Sequence, residues 1–278
     1  YYDRRLGFVN PRVPPPAGAP IYIAPDAMLQ DVLCRLKPGE GGAIHIGSLL
    51  SRARHQVPIA LDARGFTSTH LAIIASTGSG KSYLAGVILE ELMRPSTRAA
   101  VLVIDPHGEY DTLTEMQGDG RFAAEGYRPT VKIVRPTEIK VRVSSLTLSD
   151  LRYLLPNLSE RMHYLLGQAF RRVTHEHDDK WTRAHLRMAI RAGLDDRNAP
   201  PGEEEAREED ASVGALIWRV NSVLESKVFD DFVSLPLGDL CRPGQCTVLQ
   251  LNEIPEREQQ IIVATLLSRS GDLAPANT

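Results

Sequence analysis

A glycine-rich loop in the first third of the sequence lies between two short apolar runs, and this arrangement limits the fold more than any other feature. The first run, "LAIIA", follows His70, and the second, "AAVLVID", ends at Asp105. Between them, "SYLAGVILEELM" carries apolar residues at helical spacing. Continuous apolar runs of this length are typical of parallel strands that are buried on both faces. The segment 70–105 therefore predicts a strand–helix–strand unit with a right-handed crossover.

The loop, "ASTGSGKS", follows the phosphate-loop pattern G-x-x-x-x-G-K-[ST], except that Ala75 replaces the first glycine. Alanine fits there if its φ stays negative. Backbone N–H groups and the start of the next helix favour a polyphosphate. Lys81 is placed to reach the β- and γ-phosphates, and the Ser82 hydroxyl to bind Mg²⁺. A Gly/Ser turn without a ligand is the alternative. The predicted site for ATP and Mg²⁺ consists of Ser76, Thr77, Gly78, Ser79, Gly80, Lys81, Ser82 and Tyr83.

Two acids follow the second strand, in "VLVIDPHGEYD". Ligands of doubly wound sheets bind beyond the carboxyl ends of the strands. Asp105 could therefore order the magnesium shell, and Glu109 could orient the attacking water. The alternative is a turn that Asp105 caps and that Pro-His-Gly bends. Both interpretations stay open, and the catalytic candidates are Lys81, Asp105 and Glu109.

Patterns on either side of this unit predict further elements. Strand-like pieces, "PIYIA", "AIHIG" and "VPIALD", predict a small N-terminal β-domain, such as a partial barrel. "TVKIV" and "CTVLQL" predict two more strands, and residues 147–195 read as helical, with Ser159 as an N-cap. "NAPPGEEEAREEDAS" predicts a mobile polar loop. "SVGALIWRVNSVLES" predicts a helix, and "PEREQQIIVATLLSR" another that begins near Pro255.

These elements together predict an α/β fold with a mostly parallel sheet, a phosphate-loop core, a helical insertion and a small N-terminal β-segment. We expect residues 1–66 to form the β-domain and residues 67–148 the first part of the core. Residues 149–234 are expected to form the helical insertion with its acidic loop. Residues 235–278 are expected to continue the core.

Charge and cysteine content exclude several classes of protein. The net charge is −3, but "EEEAREED" alone carries −5, which leaves +2 for the rest of the chain. The three cysteines, Cys34, Cys241 and Cys246, form no CxxC pair, so neither a disulfide framework nor a zinc site is expected. The longest apolar runs have about six residues, whereas a membrane-spanning helix needs ~20. We therefore expect a cytoplasmic protein without a membrane partner.

The pairing of "HLAIIASTGSGKS" with "VLVIDPHGEY" resembles the HerA family of DNA translocases, within the HerA–FtsK group of phosphate-loop motors. "GAIHIGSLLSRARHQVPIALDARGF" and "LCRPGQCTVLQLNEIPEREQQIIVATLLSR" also resemble that family, so the likeness covers most of 1–148 and 235–269. It implies a RecA-like motor in a homo-hexameric ring that moves along and unwinds double-stranded DNA using ATP. It further implies DNA-end resection during double-strand break repair, with a NurA-type nuclease as partner.

The chain departs from the family pattern in two places. The family's Walker B strand, which ends in an acidic pair, has no match, and we expect the chain to end before it. "VFDDF", at 228–232, is only superficially similar. The family's usual upstream arginine is here Thr69, which leaves Arg64 as the nearest candidate for an arginine finger.

Three alternatives remain open in the sequence. A related ring ATPase could move protein or conjugative DNA, and a nucleotide-binding scaffold could lack turnover of its own. In "THEHDDK" a metal site competes with a solvated helix end. Arginines between 171 and 191 could contact DNA or form a solvated face. Trp181 and Trp218 are expected to be packing anchors.

Overall fold

The computed structural model describes residues 2–3, 7–8, 16–20, 22–34, 36–53, 56–193 and 203–270. The chain divides into two compact units, each assembled from separated stretches. The first unit comprises Tyr1–Val101, Thr112–Val131 and Arg242–Cys246. The second comprises Leu102–Asp111, Lys132–Cys241 and Thr247–Thr278.

The Tyr1–Val101 stretch of the first unit carries short β-elements and helices, including the helix that follows the glycine-rich loop. In chain order its elements are β1 (Tyr2–Asp3), β2 (Gly7–Phe8), α1 (Asp26–Leu33), β3 (Ala43–Ser48), β4 (Pro58–Asp62), α2 (Ala63–Thr67) and α3 (Lys81–Leu92). β1 pairs with β2 and β3 with β4, both antiparallel. A small apolar core, Ile44, Ala63, Ile88 and Leu92, joins β3, α2 and α3.

The remaining elements include four successive α-helices between two short strands. They are β5 (Val101–Asp105), β6 (Thr130–Val134), β7 (Val141–Arg142), α4 (Leu148–Leu154), α5 (Glu160–His177), α6 (Arg183–Ala192), α7 (Glu203–Leu224), β8 (Phe229–Asp230), β9 (Gln245–Gln250) and α8 (Glu256–Ser270). The predictions of β6 and β9, and of α8 directly after Pro255, are confirmed.

A three-stranded sheet has the order β5-β9-β6. At the start of β9, the Gly244 N–H donates to the Ala99 carbonyl at 3.0 Å, just before β5. At its end, the Leu251 N–H donates to the Asp105 carbonyl at 2.9 Å. The start of β9 thus lies beside the start of β5, and the end of β9 beside the end of β5. The two strands are therefore parallel, as the sequence predicts. A second, short parallel pair joins β7 and β8.

The second unit contains most of the buried apolar side chains, contributed mainly by helices α4–α8. Side-chain caps fix where three of these helices begin: Thr147, Ser159 and Thr182 each accept an N–H from the first turn. Ser159 is thus confirmed as the N-cap of α5. Trp181 is 1% exposed, and its ring meets that of Phe170 edge-on with centroids 5.9 Å apart. Trp181 is therefore a packing anchor, as predicted.

Several sequence predictions about the fold are wrong. No barrel forms among the described residues of the N-terminal segment, and "PIYIA" is no strand there, with Tyr22 and Ile23 both 83% exposed. β5 is only half-buried up to Ile104, although its apolar run predicts burial on both faces. An apolar run indicates which residues could be buried, but a strand is buried on both faces only where other elements cover both faces of its sheet.

Two predictions about the helical region are also wrong. α7 begins at Glu203, so the acidic residues predicted to lie in a loop are helical from there, whereas 198–202 lie outside the described residues. Glutamate forms helices well and is favoured at a helix N-terminus, which explains the difference. Trp218 is 70% exposed and is no packing anchor among the described residues. Within the described chain, no helix is both long and apolar enough to cross a membrane.

Candidate functional site

The glycine-rich loop turns back on itself directly before α3. Gly78 and Gly80 have φ angles of +77° and +92°, which only glycine adopts readily. Ser79 donates from its N–H and its hydroxyl to the Ser76 carbonyl, at 3.3 and 2.6 Å. Lys81 Nζ donates to the same carbonyl at 2.9 Å. The Lys81 ammonium is thereby held against the loop backbone.

The N-terminus of α3 stands open to a ligand. Gly80 is its N-cap residue, and no described side chain caps the helix, so its first N–H groups have no partner from a cap. Ser82 is exposed, and Tyr83 is 80% exposed. Backbone donors, the positive end of the helix dipole and the Lys81 ammonium all favour phosphate. The predicted residues Ser76–Tyr83 are therefore contiguous and accessible, and their chemistry fits ATP with Mg²⁺.

Ala75 does not distort the loop, because its φ is not positive. The segment before it differs from its prediction: residues 70–75 form no regular strand in the described chain, and Ile74 is 91% exposed. Only Ile73 of this segment packs on the core shared by β3 and α3. The prediction of a strand buried on both faces is wrong, because no described strand pairs with this segment.

Buried contacts hold α3 behind the loop. Ile88 and Leu92 pack on Ile44 of β3. Glu91, only 9% exposed, accepts the His45 N–H through Oε2 at 3.0 Å. Sequence reasoning missed this bond, because no local signal marks a link between residues 46 positions apart.

Asp105, at the carboxyl end of β5, is 1% exposed and accepts four backbone N–H groups. Its Oδ1 accepts from His107, Gly108 and Glu109 at 3.3, 2.8 and 3.2 Å. Its Oδ2 accepts from Tyr110 at 3.2 Å. Of the two interpretations left open, this geometry is that of a turn capped by its first residue.

The loop that Asp105 caps presents two polar side chains outward. His107 and Glu109 are both exposed. Gly108 has a φ of +74°, and a Cβ at this position would lie 3.2 Å from the Asn252 side-chain nitrogen. Sequence reasoning missed Asn252, which follows β9 and meets this loop only because β5 and β9 are neighbours in the sheet. The phosphate loop belongs to the first unit and the 105–110 loop to the second.

The remaining candidates have structural partners. In "VFDDF", Asp230 accepts the N–H groups of Phe232 and Val233, both at 2.8 Å, and these two bonds lower its pKa. Asp231 pairs with Arg183 at 3.2 Å. Both acids therefore hold the local fold. Arg64 is exposed on α2.

The histidine cluster also has ordinary contacts. His177 ends α5 and stacks on His185, with ring centroids 3.8 Å apart. Asp179 lies 3.6 Å from Arg142. Within the described residues, no group of three or more side chains is arranged to bind a metal. Among the arginines, Arg172 pairs with Glu176 at 2.9 Å along α5.

Comparison with known proteins decides the family. Residues 44–270 match the family model described as "Helicase HerA, central domain". The chain belongs to the HerA helicase family. The matched range contains the phosphate loop, the Asp105 turn and helices α3–α8. The predicted resemblance to this family is therefore confirmed.

Curated helicases, two of them named HerA, are similar to this chain over nearly its whole length. A probable helicase of Methanocaldococcus jannaschii is 28% identical over 260 residues, covering 91% of this chain and 45% of the relative. DNA double-strand break repair helicases HerA of Pyrococcus furiosus and Sulfolobus acidocaldarius are 26% and 25% identical. Those matches cover 92% and 94% of this chain, and 45% and 48% of the relatives. The chain thus spans about half the length of these HerA relatives.

Proposed function

We propose that the protein belongs to a ring-shaped motor that uses ATP to move along and unwind double-stranded DNA. The observation that carries this proposal is the open phosphate loop, with left-handed Gly78 and Gly80 at the uncapped start of α3, inside a HerA domain. The names of the HerA relatives, DNA double-strand break repair helicases, support duplex DNA as the substrate and break repair as the process.

The proposal assigns a role to each loop. Backbone N–H groups of Ser76–Tyr83 hold the phosphates, Lys81 neutralises their charge, and the Ser82 hydroxyl binds Mg²⁺. ATP supplies the phosphoanhydride bond whose hydrolysis drives movement. Glu109, exposed on the loop after β5, is proposed to orient the attacking water. Asp105 was predicted to order the magnesium shell, whereas its four N–H bonds favour a structural role within its own turn.

Three further features of the proposal rest on membership of the HerA family. We propose that the motor is a homo-hexamer, that it acts in DNA-end resection, and that a NurA-type nuclease is its partner. The family match over 44–270 supports these features.

Substitution of Lys81 in the full-length protein tests the proposal. Lys81→Ala removes the ammonium from the loop and is expected to lower duplex-stimulated ATP hydrolysis by about 100-fold or more. Lys132→Ala, an exposed lysine on β6, is the matched control and should leave hydrolysis unchanged. Equal hydrolysis by the wild type and Lys81→Ala would refute the proposal.

The same assay separates the alternative functions. A scaffold without turnover would bind a fluorescent ATP analogue but would not hydrolyse ATP with or without duplex. A motor for protein cargo would hydrolyse ATP without duplex stimulation. Duplex binding by a DNA motor should weaken steeply with salt, because phosphate contacts release counterions.

A further inference from the structure

The carboxylate of Asp105 is fully engaged by its own loop. Three successive N–H groups, from His107, Gly108 and Glu109, donate to Oδ1, and the next one, from Tyr110, donates to Oδ2. Asp105 is 1% exposed, so water cannot easily take the place of its carboxylate as the acceptor for these N–H groups. Buried backbone donors that lose an acceptor are costly, which makes the carboxylate necessary for this loop conformation.

These bonds compete with direct metal binding. Each carboxylate oxygen offers two lone-pair positions. The three N–H groups on Oδ1 leave none free there, and the Tyr110 N–H uses one of the two on Oδ2. Mg²⁺ requires near-ideal octahedral geometry with short bonds to oxygen. Because Asp105 is 1% exposed, the ion could reach the remaining position on Oδ2 only if the loop opened and gave up some of these bonds. Asp105 is therefore buried and bonded to its own loop, whereas His107 and Glu109 of the same loop are exposed.

The loop is fixed at two further points. The Leu251 N–H donates to the Asp105 carbonyl at 2.9 Å, which ties the start of the loop to the end of β9. Gly108 lies against Asn252, because a Cβ there would be 3.2 Å from the Asn252 side-chain nitrogen. Glu109 is the next residue, and it is exposed. Its backbone is thus held on one side by Asp105 and on the other by the loop after β9.

We propose that Asp105 is a positioning residue, which holds the 106–110 loop so that Glu109 is presented for the reaction, and that it is not a ligand of Mg²⁺. This inference rests on the proposed function, because Glu109 needs an ATP hydrolysis reaction to serve. The two acids of "VLVIDPHGEYD" then have different roles. Asp105 sets the conformation, and Glu109 acts on the water.

The variants follow from the hydrogen bonds. Asp105→Asn has nearly the same shape and keeps an oxygen for the Oδ1 donors, but places an amide N–H₂ group opposite the Tyr110 N–H. Asp105→Asn is therefore expected to weaken the bond to the Tyr110 N–H without leaving a cavity in place of the side chain. Glu109→Gln removes the acidic function and leaves the loop bonds in place. The experiment uses full-length protein with saturating duplex DNA, and thermal unfolding confirms that each variant is folded.

Steady-state ATP hydrolysis distinguishes positioning from metal binding. Glu109→Gln should lower kcat by about 100-fold, the usual contribution of such a group. Asp105→Asn should lower kcat by about tenfold, with KM for Mg-ATP and the Mg²⁺ requirement unchanged. In the double variant, Asp105→Asn should add no further loss, because residues that act through one another are not additive. A direct Mg²⁺ ligand would instead raise the Mg²⁺ requirement and multiply the loss, and that result overturns the inference.

Amide hydrogen exchange gives a readout that does not depend on activity. The N–H groups of residues 107–110 should be protected in the wild type, and Asp105→Asn should speed their exchange. Exchange at Leu251, whose acceptor is the Asp105 backbone carbonyl, should change least. Unchanged exchange at 107–110 would overturn the inference by itself.

The two proposals fail in distinguishable ways. If the wild type hydrolyses no ATP, the proposed function is refuted, and Glu109 then has no reaction to serve. An active wild type with multiplying losses refutes only the positioning role.

Discussion

The Glu91 carboxylate accepts the backbone N–H of His45 at 3.0 Å and thereby ties α3 to β3. Its other oxygen accepts from Arg94 Nε at 2.7 Å. The helix that carries Lys81 is thus fixed by a buried polar bond as well as by the apolar contacts of Ile88 and Leu92.

Glu91→Ala should destabilise the first unit. The substitution leaves the His45 N–H and the Arg94 guanidinium without this acceptor, and a lost buried bond of this kind costs about 1–3 kcal/mol. Urea unfolding measures the change. Glu115→Ala is the control, since Glu115 is exposed, and it should stay within about 0.5 kcal/mol of the wild type. Equal stability of the two variants would show that the Glu91 bond contributes nothing.

Two glycines close together in the chain should respond to alanine in opposite ways. A Cβ would meet no atom within 4 Å at either Gly80 or Gly86. Gly80, however, has a φ of +92°, where an L-residue is strained by about 1–2 kcal/mol, whereas Gly86 lies within α3. Gly80→Ala should therefore lower the melting temperature and weaken nucleotide binding. Gly86→Ala should raise the free energy of unfolding by about 0.5–1 kcal/mol, and the melting temperature should rise with it. A shift of the same sign for both would contradict this account.

The two tryptophans of the chain allow a matched comparison of core and surface. Trp181 is 1% exposed and packs on Phe170, whereas Trp218 is 70% exposed. Trp181→Ala should cost about 3–5 kcal/mol, and Trp218→Ala no more than about 0.5 kcal/mol. Acrylamide should quench mainly Trp218 fluorescence, so Trp218→Phe should abolish most of the quenching. Efficient quenching in Trp218→Phe would mean that Trp181 is accessible.

Cysteine reactivity should follow exposure. Cys241 is exposed, whereas burial raises the pKa of the Cys246 thiol to about 11, above its usual value of 9.0. A thiol reagent at pH 8 should therefore label Cys241 quickly and reach Cys246 only on unfolding. Cys241→Ser should remove the fast phase, and Cys246→Ser should leave it.

The raised pKa of Cys246 also predicts the sign of a pH dependence. The folded state favours the neutral thiol, so this contribution to stability is fully present below pH 9 and is lost as the pH rises towards 11. Cys246→Ser should flatten the loss of stability measured by urea unfolding across that range. An unchanged slope would contradict the assignment.

Local patterns predicted the parts of the structure whose causes are local. Ser159 caps α5 because its side chain accepts an N–H from the first turn, and Ala75 fits the loop because its φ is not positive. Pairing was harder to predict, since it depends on partners far along the chain. The apolar run at 70–75 has no described strand beside it, and Ile74 is therefore exposed.

The candidate site shows the same division. Sequence spacing predicted the glycine-rich loop before α3 and the Asp105 turn, because each is a continuous motif. It could not choose between metal binding and capping for Asp105, since four N–H bonds to one carboxylate are a property of the folded turn. It also missed Asn252, which reaches Gly108 only through the neighbouring strand.

The bond between the Gly244 N–H and the Ala99 carbonyl sets an order of events during synthesis on the ribosome. The first unit contains the glycine-rich loop within Tyr1–Val101, yet it also includes the much later segment Arg242–Cys246. Gly244 is also closely fitted to Tyr127, since a Cβ there would be 2.9 Å from the Tyr127 ring. The first unit therefore cannot be completed until Arg242–Cys246 has emerged from the ribosome, and its unpaired strand edges are exposed to aggregation until then.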